Sequence, residues 1–148
     1  MKKLTSIPAL LAVLAMFFLG SCSKDNSVLP ATEATNTPVI NEIDLKQPAP
    51  GTYKVSKFID TGDDETAQFN GYTFTFKANG GLTATTASGH VFNGSWSLNS
   101  AETIMTINIA GNNALKDLDD DNWQVVRITN QTIKITKNGP DTVVFTKI

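Results

Sequence analysis

From residue 51 to the end of the chain, apolar and polar residues alternate in short runs that are separated by turn residues. The clearest run is 72–77 (YTFTFK), in which aromatic side chains occupy one face and threonine and lysine the other. This alternation is typical of an antiparallel strand with one buried face. Asn79-Gly80 follows the run and predicts a type I′ hairpin turn, because both central residues of that turn need positive φ.

The alternation predicts eight strands in this part of the chain. They cover residues 52–59, 69–77, 81–87, 90–98, 102–109, 123–129, 131–137 and 141–148. Most connections are too short for parallel crossovers, so strands that are neighbours in sequence should pair. The longer gap, 110–122, contains Leu115 and Leu118 at a spacing that suits one helical turn. Because closure removes exposed edges, we expect an all-β fold, a small eight-stranded antiparallel meander barrel with one short helical turn.

The first 21 residues have the features of a signal peptide: a basic head, a short apolar core at 7–19 and small residues before a cleavage site. Residues 19–22 (LGSC) resemble a bacterial lipobox, in which the cysteine receives diacylglycerol and the new N-terminus is acylated, for example with palmitate. The resemblance implies that residues 1–21 are removed and that three acyl chains on Cys22 anchor the protein firmly. The alternative is an ordinary secretory signal with a chance cysteine beside it.

Residues 22–50 comprise the predicted lipidated cysteine and a segment that holds four of the six prolines and shows no sustained periodicity. Such a composition predicts a flexible tether, in which only 39–45 could order, by packing across the barrel floor. Lys24 and Asp25 resemble part of the signal that exports Bacteroidetes lipoproteins to the cell surface. The other interpretation is a solvated linker in the periplasm. We therefore expect a protein anchored by lipid in the cell outer membrane, on its periplasmic face or at the cell surface.

Four blocks of residues 51–148 resemble the lipocalin-like domain that is common in Bacteroidetes lipoproteins. They are GTYKVSKFID, FNGYTFTFKANGGLTAT, GSWSLN and DDDNWQVVRITNQTIKITK. The resemblance implies a lipocalin-like β-barrel domain over 51–148. The family usually has Gly-x-Trp in its first strand, where this chain has Gly51-Thr52-Tyr53. True lipocalins stack that tryptophan under a basic side chain to close the barrel floor, and the resemblance implies that Tyr53 can take this role.

An eight-stranded barrel has an interior just wide enough to be filled by side chains or to hold one small ligand. The residues predicted to line the lumen share large size and an inward position in the alternation. They are Tyr53, Tyr72, Phe74, Phe76, Phe92, Trp96, Met105 and Ile107, and Ile133, Ile135 and Phe145 should point the same way. Because the side chains are large, core packing is the default interpretation, and a shallow apolar pocket that binds a ligand is the alternative.

Candidate catalytic and metal-binding groups are few. His90 is the only histidine and lies beside a turn glycine, where we expect a solvated side chain and not a general base. Asp117, Asp119 and Asp121 match the first three ligand positions of an EF-hand, but Ile128 occupies the position of its bidentate glutamate. Both this cluster and the acidic run at 63–65 are either solvated loop faces or loose calcium sites, and the sequence leaves the choice open. We expect no catalytic residues, cofactor or dedicated metal site.

These features lead to two functional hypotheses. In the first, the protein is a non-enzymatic, lipid-anchored envelope protein whose barrel binds a small apolar molecule or a partner protein. In the second, it is an envelope interaction or inhibitor module whose barrel is filled by side chains and whose loops form the binding surface. A net charge of −2 gives no reason to expect nucleic-acid binding. Because the two longest loops are acidic, any ligand that enters the lumen should be neutral or cationic.

Overall fold

The computed structural model describes residues 42–137 and 139–148, so the predicted signal peptide, Cys22 and the tether up to residue 41 lie outside the described residues. The strands are β1 Gly51–Asp60, β2 Asp63–Asp64, β3 Thr73–Phe76, β4 Gly81–Thr85, β5 Val91–Leu98, β6 Ile104–Ile109, β7 Asp120–Ile128, β8 Thr132–Lys137 and β9 Asp141–Lys147. A 3-10 helix spans Thr66–Phe69 and helix α1 spans Asn113–Leu118. Across these two ranges, no helix has the length and hydropathy needed to cross a membrane.

The strands form one closed antiparallel sheet. From β3 to β9 each strand pairs with the next in sequence, and β1 pairs with both β3 and β9. The closing pair is long, from Tyr53 opposite Lys147 to Ile59 opposite Thr142. The two-residue β2 only extends the outer end of β1. The predicted eight-stranded meander barrel is therefore confirmed, and so is the helical turn within 110–122, which is α1.

Because neighbouring strands run in opposite directions, the connections lie alternately at the two ends of the barrel. We call the end at which β1 begins the floor end; it carries the β3–β4, β5–β6 and β7–β8 turns. We call the other end the mouth end; it carries the 3-10 helix, α1 and the β8–β9 turn. The meander order thus places the acidic run at 63–65 and the acidic run that follows α1 together at the mouth end.

Two predicted strand boundaries are wrong. The strand predicted at 69–77 begins only at Thr73, because the chain first forms the 3-10 helix and then turns at Gly71, whose φ is 80°. The strand predicted at 123–129 begins earlier, at Asp120, so part of the predicted acidic loop is strand. β1 pairs with β3 only over Gly51–Tyr53, so it offers no partner that would hold residues 69–72 as strand. At 120–122, by contrast, pairing with β6, which includes Asp120 opposite Ile107, overrides the local loop signal.

The predicted type I′ turn at Asn79-Gly80 is also wrong. The Gly80 N–H donates to the Lys77 carbonyl at 3.1 Å, so Ala78 and Asn79 are the central residues of the turn. Gly80 follows with a φ of 82°, whereas Asn79 is not in the positive-φ region. This arrangement corresponds to a longer hairpin loop in which only the glycine adopts the left-handed conformation.

The barrel wall is incomplete between β1 and β3, which pair only over the three residues Gly51–Tyr53. Beyond this point the 3-10 helix fills the gap. Thr66 Oγ1 accepts a hydrogen bond from the Phe58 N–H at 2.8 Å, and the ring of Phe69 packs edge-on against that of Phe58 with 5.0 Å between centroids. Phe69 is buried as a result, and it closes the side of the barrel as a member of its core.

Residues 42–45, which we call the strap, lie beside the floor end of β7. The Leu45 N–H donates to the Ile128 carbonyl at 2.8 Å, and Asp44 forms an isolated antiparallel bridge with Thr129. Asp44 also pairs with Arg127, at 2.7 Å from carboxylate oxygen to Nε. The strap therefore covers an edge of β7 that β6 does not reach.

Candidate functional site

The predicted lumen residues all point inward. Tyr53, Tyr72, Phe74, Phe76, Trp96, Met105 and Ile107 are buried, and Phe92 is half-buried and packs against the same cluster. The same holds for Ile133, Ile135 and Phe145. The structure brings these side chains together with aromatic contacts, of which that between Phe74 and Phe145 is typical, with 5.4 Å between ring centroids and an interplanar angle of 72°.

The interior they form is filled. Tyr53, Phe74 and Phe145 are 0% exposed, and so are Met105 and Ile133. A side chain with no accessible surface borders neither solvent nor an internal void large enough for a water molecule. Small-molecule sites, by contrast, are cavities of roughly 300–1,000 Å³. These residues therefore act as a packed core, which was the default interpretation of their size.

The floor end is closed around Tyr53. Its hydroxyl donates to the Ala49 carbonyl at 2.6 Å, and its ring packs edge-on against Phe76. Lys147 Nζ lies 5.8 Å from the centroid of the Tyr53 ring, within the range of a cation–π contact. Burial raises the pKa of the Tyr53 phenol above its ordinary value. The aromatic ring under a basic side chain that the family resemblance implied is thus present, with tyrosine in place of tryptophan.

The mouth end is closed by α1, which is fastened at both of its ends. Asn112, the N-cap of α1, donates its side-chain amide to the Tyr72 hydroxyl. At the other end the Trp123 indole N–H donates to the Leu118 carbonyl at 3.0 Å. Leu115 and Leu118 are 0% exposed and belong to the barrel core. The predicted entrance for a ligand is therefore occupied by the chain itself.

The acidic side chains beside α1 have partners within the protein. Asp119 accepts a hydrogen bond from the Ile109 N–H at 2.9 Å, and Asp120 pairs with Lys137 at 2.6 Å. Burial opposes ionisation of Asp120, but the hydrogen bond from Lys137 and those from backbone N–H groups outweigh it and hold the pKa of Asp120 below its ordinary value. Among residues 42–137 and 139–148, no three acidic, histidine or cysteine side chains are grouped so as to hold a metal ion.

Two open clefts lie on the outside of the barrel. The first, of about 280 Å³, is lined by Thr106, Ile107, Asn108, Asp119, Asp120 and Asp121, where the pairing of β6 with β7 is irregular. The second, of about 400 Å³, is lined by Asp44, Leu45, Val125, Val126, Arg127 and Ile128 and separates the strap from β7. A register shift lies beside each cleft, between Met105 and Ile107 in β6 for the first and between Val125 and Arg127 in β7 for the second.

Several residues that matter for closing the barrel were not singled out from the sequence. Phe69 follows a loop and offers no alternation of its own, so only its tertiary contacts show that it plugs the wall. Trp123 stands in an alternating run with Val125, which is a signal that could have placed it inside. His90 is exposed, as expected, and its ring lies 4.6 Å from that of Phe92.

Comparison with known proteins rests on structure, because no protein-family model and no curated protein matches the chain. A lipocalin-like protein from Bacteroides uniformis matches with a TM-score of 0.50 and 13% identity, over 67% of this chain and 97% of the other. An uncharacterized protein from Bacteroides eggerthii matches with a TM-score of 0.50 and 14% identity, over 67% and 98% of the two chains.

A DUF4847 family protein from Bacteroides vulgatus also matches, with a TM-score of 0.47 and 18% identity, over 66% of this chain and 92% of the other. At these identities the first two matches establish the fold. The closed meander, the tyrosine at the floor end and the match to the lipocalin-like protein agree with the resemblance found in the four sequence blocks. The chain has a lipocalin-like fold, which it shares with the protein from Bacteroides uniformis.

Proposed function

We propose that this chain is a non-enzymatic, lipid-anchored protein of the cell envelope that binds a partner with the outside of a solid barrel. The observation that carries the proposal is the filled interior: both ends are closed and the central side chains have no exposed surface. A barrel of this kind is a rigid scaffold, and what it binds must contact its outer faces or its loops.

The anchor in this proposal rests on the sequence. The lipobox-like residues 19–22 follow a short apolar segment, and residues 23–41 offer a tether between Cys22 and the strap. As a random coil, such a segment spans on the order of 25 Å, which gives the barrel freedom to search close to the outer membrane. The sequence supports the periplasmic face and the cell surface equally.

A lumenal ligand is the competing proposal, and the packing argues against it. Admission of an apolar molecule would require α1 to leave the mouth end, with loss of the Trp123–Leu118 hydrogen bond and exposure of Leu115 and Leu118. Each leucine costs about 1.5–3 kcal/mol when its burial is lost. A ligand would have to supply that free energy before any net binding resulted.

Native mass spectrometry of the full lipidated protein, purified from its own host in mild detergent, tests the proposal. The expected mass is that of the lipidated chain with no additional small molecule. Leu118→Ala serves as the control, since an apolar cavity left by a truncated core leucine can bind a benzene-sized molecule. We expect benzene to bind this variant and not the wild type. A stoichiometric small molecule on the wild-type protein would contradict the filled-barrel proposal.

A further inference from the structure

The outer face of β1, β9 and β8 carries three exposed lysines, and no acidic residue of these strands stands between them. Lys54 and Lys57 lie on β1, and Lys134 lies on β8. The acidic residues of the three strands are Asp60 and Asp141, which lie at the mouth end, beyond the part of the face that the lysines occupy. We call this face, with its three lysines, the basic wall.

The strand register brings the three lysines close together. Val144 of β9 stands between two of them, opposite Lys57 on one side and opposite Lys134 on the other. Neighbouring strands are about 4.8 Å apart, so the backbones at Lys57 and Lys134 are roughly 10 Å apart. Lys54 stands opposite Thr146, the next outward position of β9. Three positive charges therefore share a small area of the sheet.

Among residues 42–137 and 139–148, none of these three lysines takes part in a salt bridge, whereas Lys46, Arg127 and Lys137 each pair with an acidic residue. Lys57 acts on Asp64 of β2 only through space. Lysine often protects a free strand edge, but β8 and β9 are paired on both sides. Because a cluster of like charges repels itself, it is best satisfied by a surface of opposite charge.

The chain that leads to the proposed anchor leaves the barrel at this same face. Glu42, the first residue that the structure describes, accepts a hydrogen bond from Thr132 Oγ1 at 3.3 Å. Thr132 lies on the outer face of β8, opposite Thr146, which in turn stands opposite Lys54. A random coil as long as residues 23–41 spans on the order of 25 Å. The basic wall is therefore within short reach of the proposed lipidation site.

We propose that the basic wall docks on the membrane that holds the anchor, by contact with anionic phospholipid headgroups. A lysine near an anionic membrane surface favours binding about fivefold, so three lysines favour the docked orientation about a hundredfold. That gain is small for a protein free in solution, but an anchored protein is already at the surface and has only to orient. The inference rests on the proposed function, because the lipid anchor is what brings the barrel to the membrane.

The other surfaces of the barrel are less suited to this role. The strands β3, β4, β5 and β6 contain no charged residue, so their outer face gains nothing from an anionic surface. The mouth end carries the acidic runs at 63–65 and 119–121, which an anionic surface repels. Docking through the basic wall therefore leaves the β3–β6 face turned away from the membrane and open to a partner.

Fluorescence quenching in vesicles tests the inference. Because the proposed lipidation consumes Cys22, the only cysteine, an introduced cysteine carries a single label. Thr136→Cys labels the basic wall on β8, and Asn93→Cys labels β5 on the opposite side. The full lipidated protein is placed in vesicles of phosphatidylcholine, with or without phosphatidylglycerol, that hold a quencher on a lipid headgroup. With phosphatidylglycerol, we expect the Thr136→Cys label to be quenched several times more strongly than the Asn93→Cys label, and the difference to disappear at about 0.5 M salt.

Two triple variants separate the basic wall from the overall charge. Replacement of all three basic-wall lysines by glutamine should lower the ratio of docked to undocked protein about a hundredfold and equalise the two labels. The matched control Lys46→Gln/Lys77→Gln/Lys116→Gln removes the same charge from exposed lysines outside the basic wall and should keep the difference.

Equal quenching of the two labels in the wild type would overturn the inference. So would loss of the difference in the control variant, or an undiminished difference in phosphatidylcholine alone. These outcomes are separate from failure of the proposed function. A protein purified from its host without acyl chains on Cys22 contradicts the anchor itself, whereas a lipidated protein with two equally quenched labels overturns only the docking of the basic wall.

Discussion

Each of the two tryptophans has a buried ring, and its indole N–H donates a hydrogen bond to a backbone carbonyl. Trp96 donates its indole N–H to Lys77 at 3.1 Å, beside the β3–β4 turn of the floor end. Trp123 does the same to Leu118 at the end of α1. A large ring contributes much of its stabilisation by burial, and its N–H finds a hydrogen-bond partner inside the protein. The Lys77 carbonyl accepts from both Trp96 and the Gly80 N–H, whereas the Leu118 carbonyl lies at the end of α1, where carbonyls lack partners within the helix. One residue therefore secures each end of the barrel.

Replacement of Trp96 tests the inward orientation of β5. Trp96 is 7% exposed and contacts Phe76, with 6.1 Å between ring centroids. Trp96→Ala should lower the free energy of unfolding by about 3–5 kcal/mol, measured by urea denaturation. Val91→Ala, at an outward and half-exposed position of the same strand, should change it by less than about 0.5 kcal/mol. A loss below about 1 kcal/mol for Trp96→Ala would show that the ring is not a core element.

Asp120 should make the stability of the barrel depend on pH. Its pKa is below the ordinary value in the folded state, since hydrogen bonds from Lys137 and from backbone N–H groups outweigh its burial. Its contribution is therefore present above the unfolded pKa of about 3.9 and is lost as pH falls toward the lower folded value. Urea unfolding between pH 6 and 3 should show a shallower decline for Asp120→Asn than for wild type. Asp63→Asn, in the exposed β1–β3 connection, is the control. If the stability of Asp120→Asn fell with pH as steeply as that of the wild type, Asp120 would not be the source of the pH dependence.

At the scale of elements, β5 and β6 approach each other unusually closely at Gly94. This glycine stands opposite Ile109, where β6 ends and the chain turns toward α1. A Cβ atom built on Gly94 would overlap the Asn108 carbonyl oxygen and lie 2.8 Å from Ile109 Cβ. Glycine in a strand commonly marks such a close backbone approach. The tight pairing positions the start of α1, and so it contributes to closure of the mouth end.

A methyl group at Gly94 should separate these two strands. Gly94→Ala forces backbone atoms apart, because the obstructing oxygen belongs to the main chain and cannot move as a side chain would. We expect a loss of about 1–3 kcal/mol in the free energy of unfolding, in the range found for overpacked sites. Hydrogen exchange should locate the loosened amides at the end of β6 and in α1. Ser95→Ala, one residue along and exposed, provides the comparison, and equal stability of the two variants would rule out the close approach.

At the scale of the whole molecule, closure of the sheet is compatible with the proposed anchoring. The β1–β9 pairing leaves the sheet without a long free edge, and the strap covers the part of β7 that β6 does not reach. Exposed strand edges are sites of aggregation, and aggregation is favoured when proteins are concentrated at a membrane. A closed barrel would therefore tolerate the high local density that the proposed lipid anchor implies.

The anchor is tested by removal of the proposed lipidation site. Cys22→Ser cannot form the thioether, so the protein should leave the membrane fraction and appear in the soluble fraction after a carbonate wash. Retention of the variant in washed membranes would show that something other than Cys22 lipidation holds it. Ser23→Ala, which keeps the cysteine and alters only its neighbour, should remain with the membranes and show that expression and export are intact.

The amino-acid sequence by itself determined the strands, their meander order and the inward set from Tyr53 to Phe145. Alternation and turn chemistry are local properties, and short connections leave one simple way to pair the strands. The lipidation of Cys22 is likewise a prediction from sequence alone. Even the helical turn at α1 could be found from the spacing of Leu115 and Leu118.

Only the tertiary structure decided that the barrel is full. Whether an interior is empty depends on the barrel radius and on side-chain volumes summed over strands that are distant in sequence, and no local pattern reports that sum. The same reason explains Phe69, which plugs a gap that exists only because β1 and β3 diverge. The same reason explains why the strap could not be placed from sequence, because its backbone pairs with Ile128 and Thr129, more than eighty residues away.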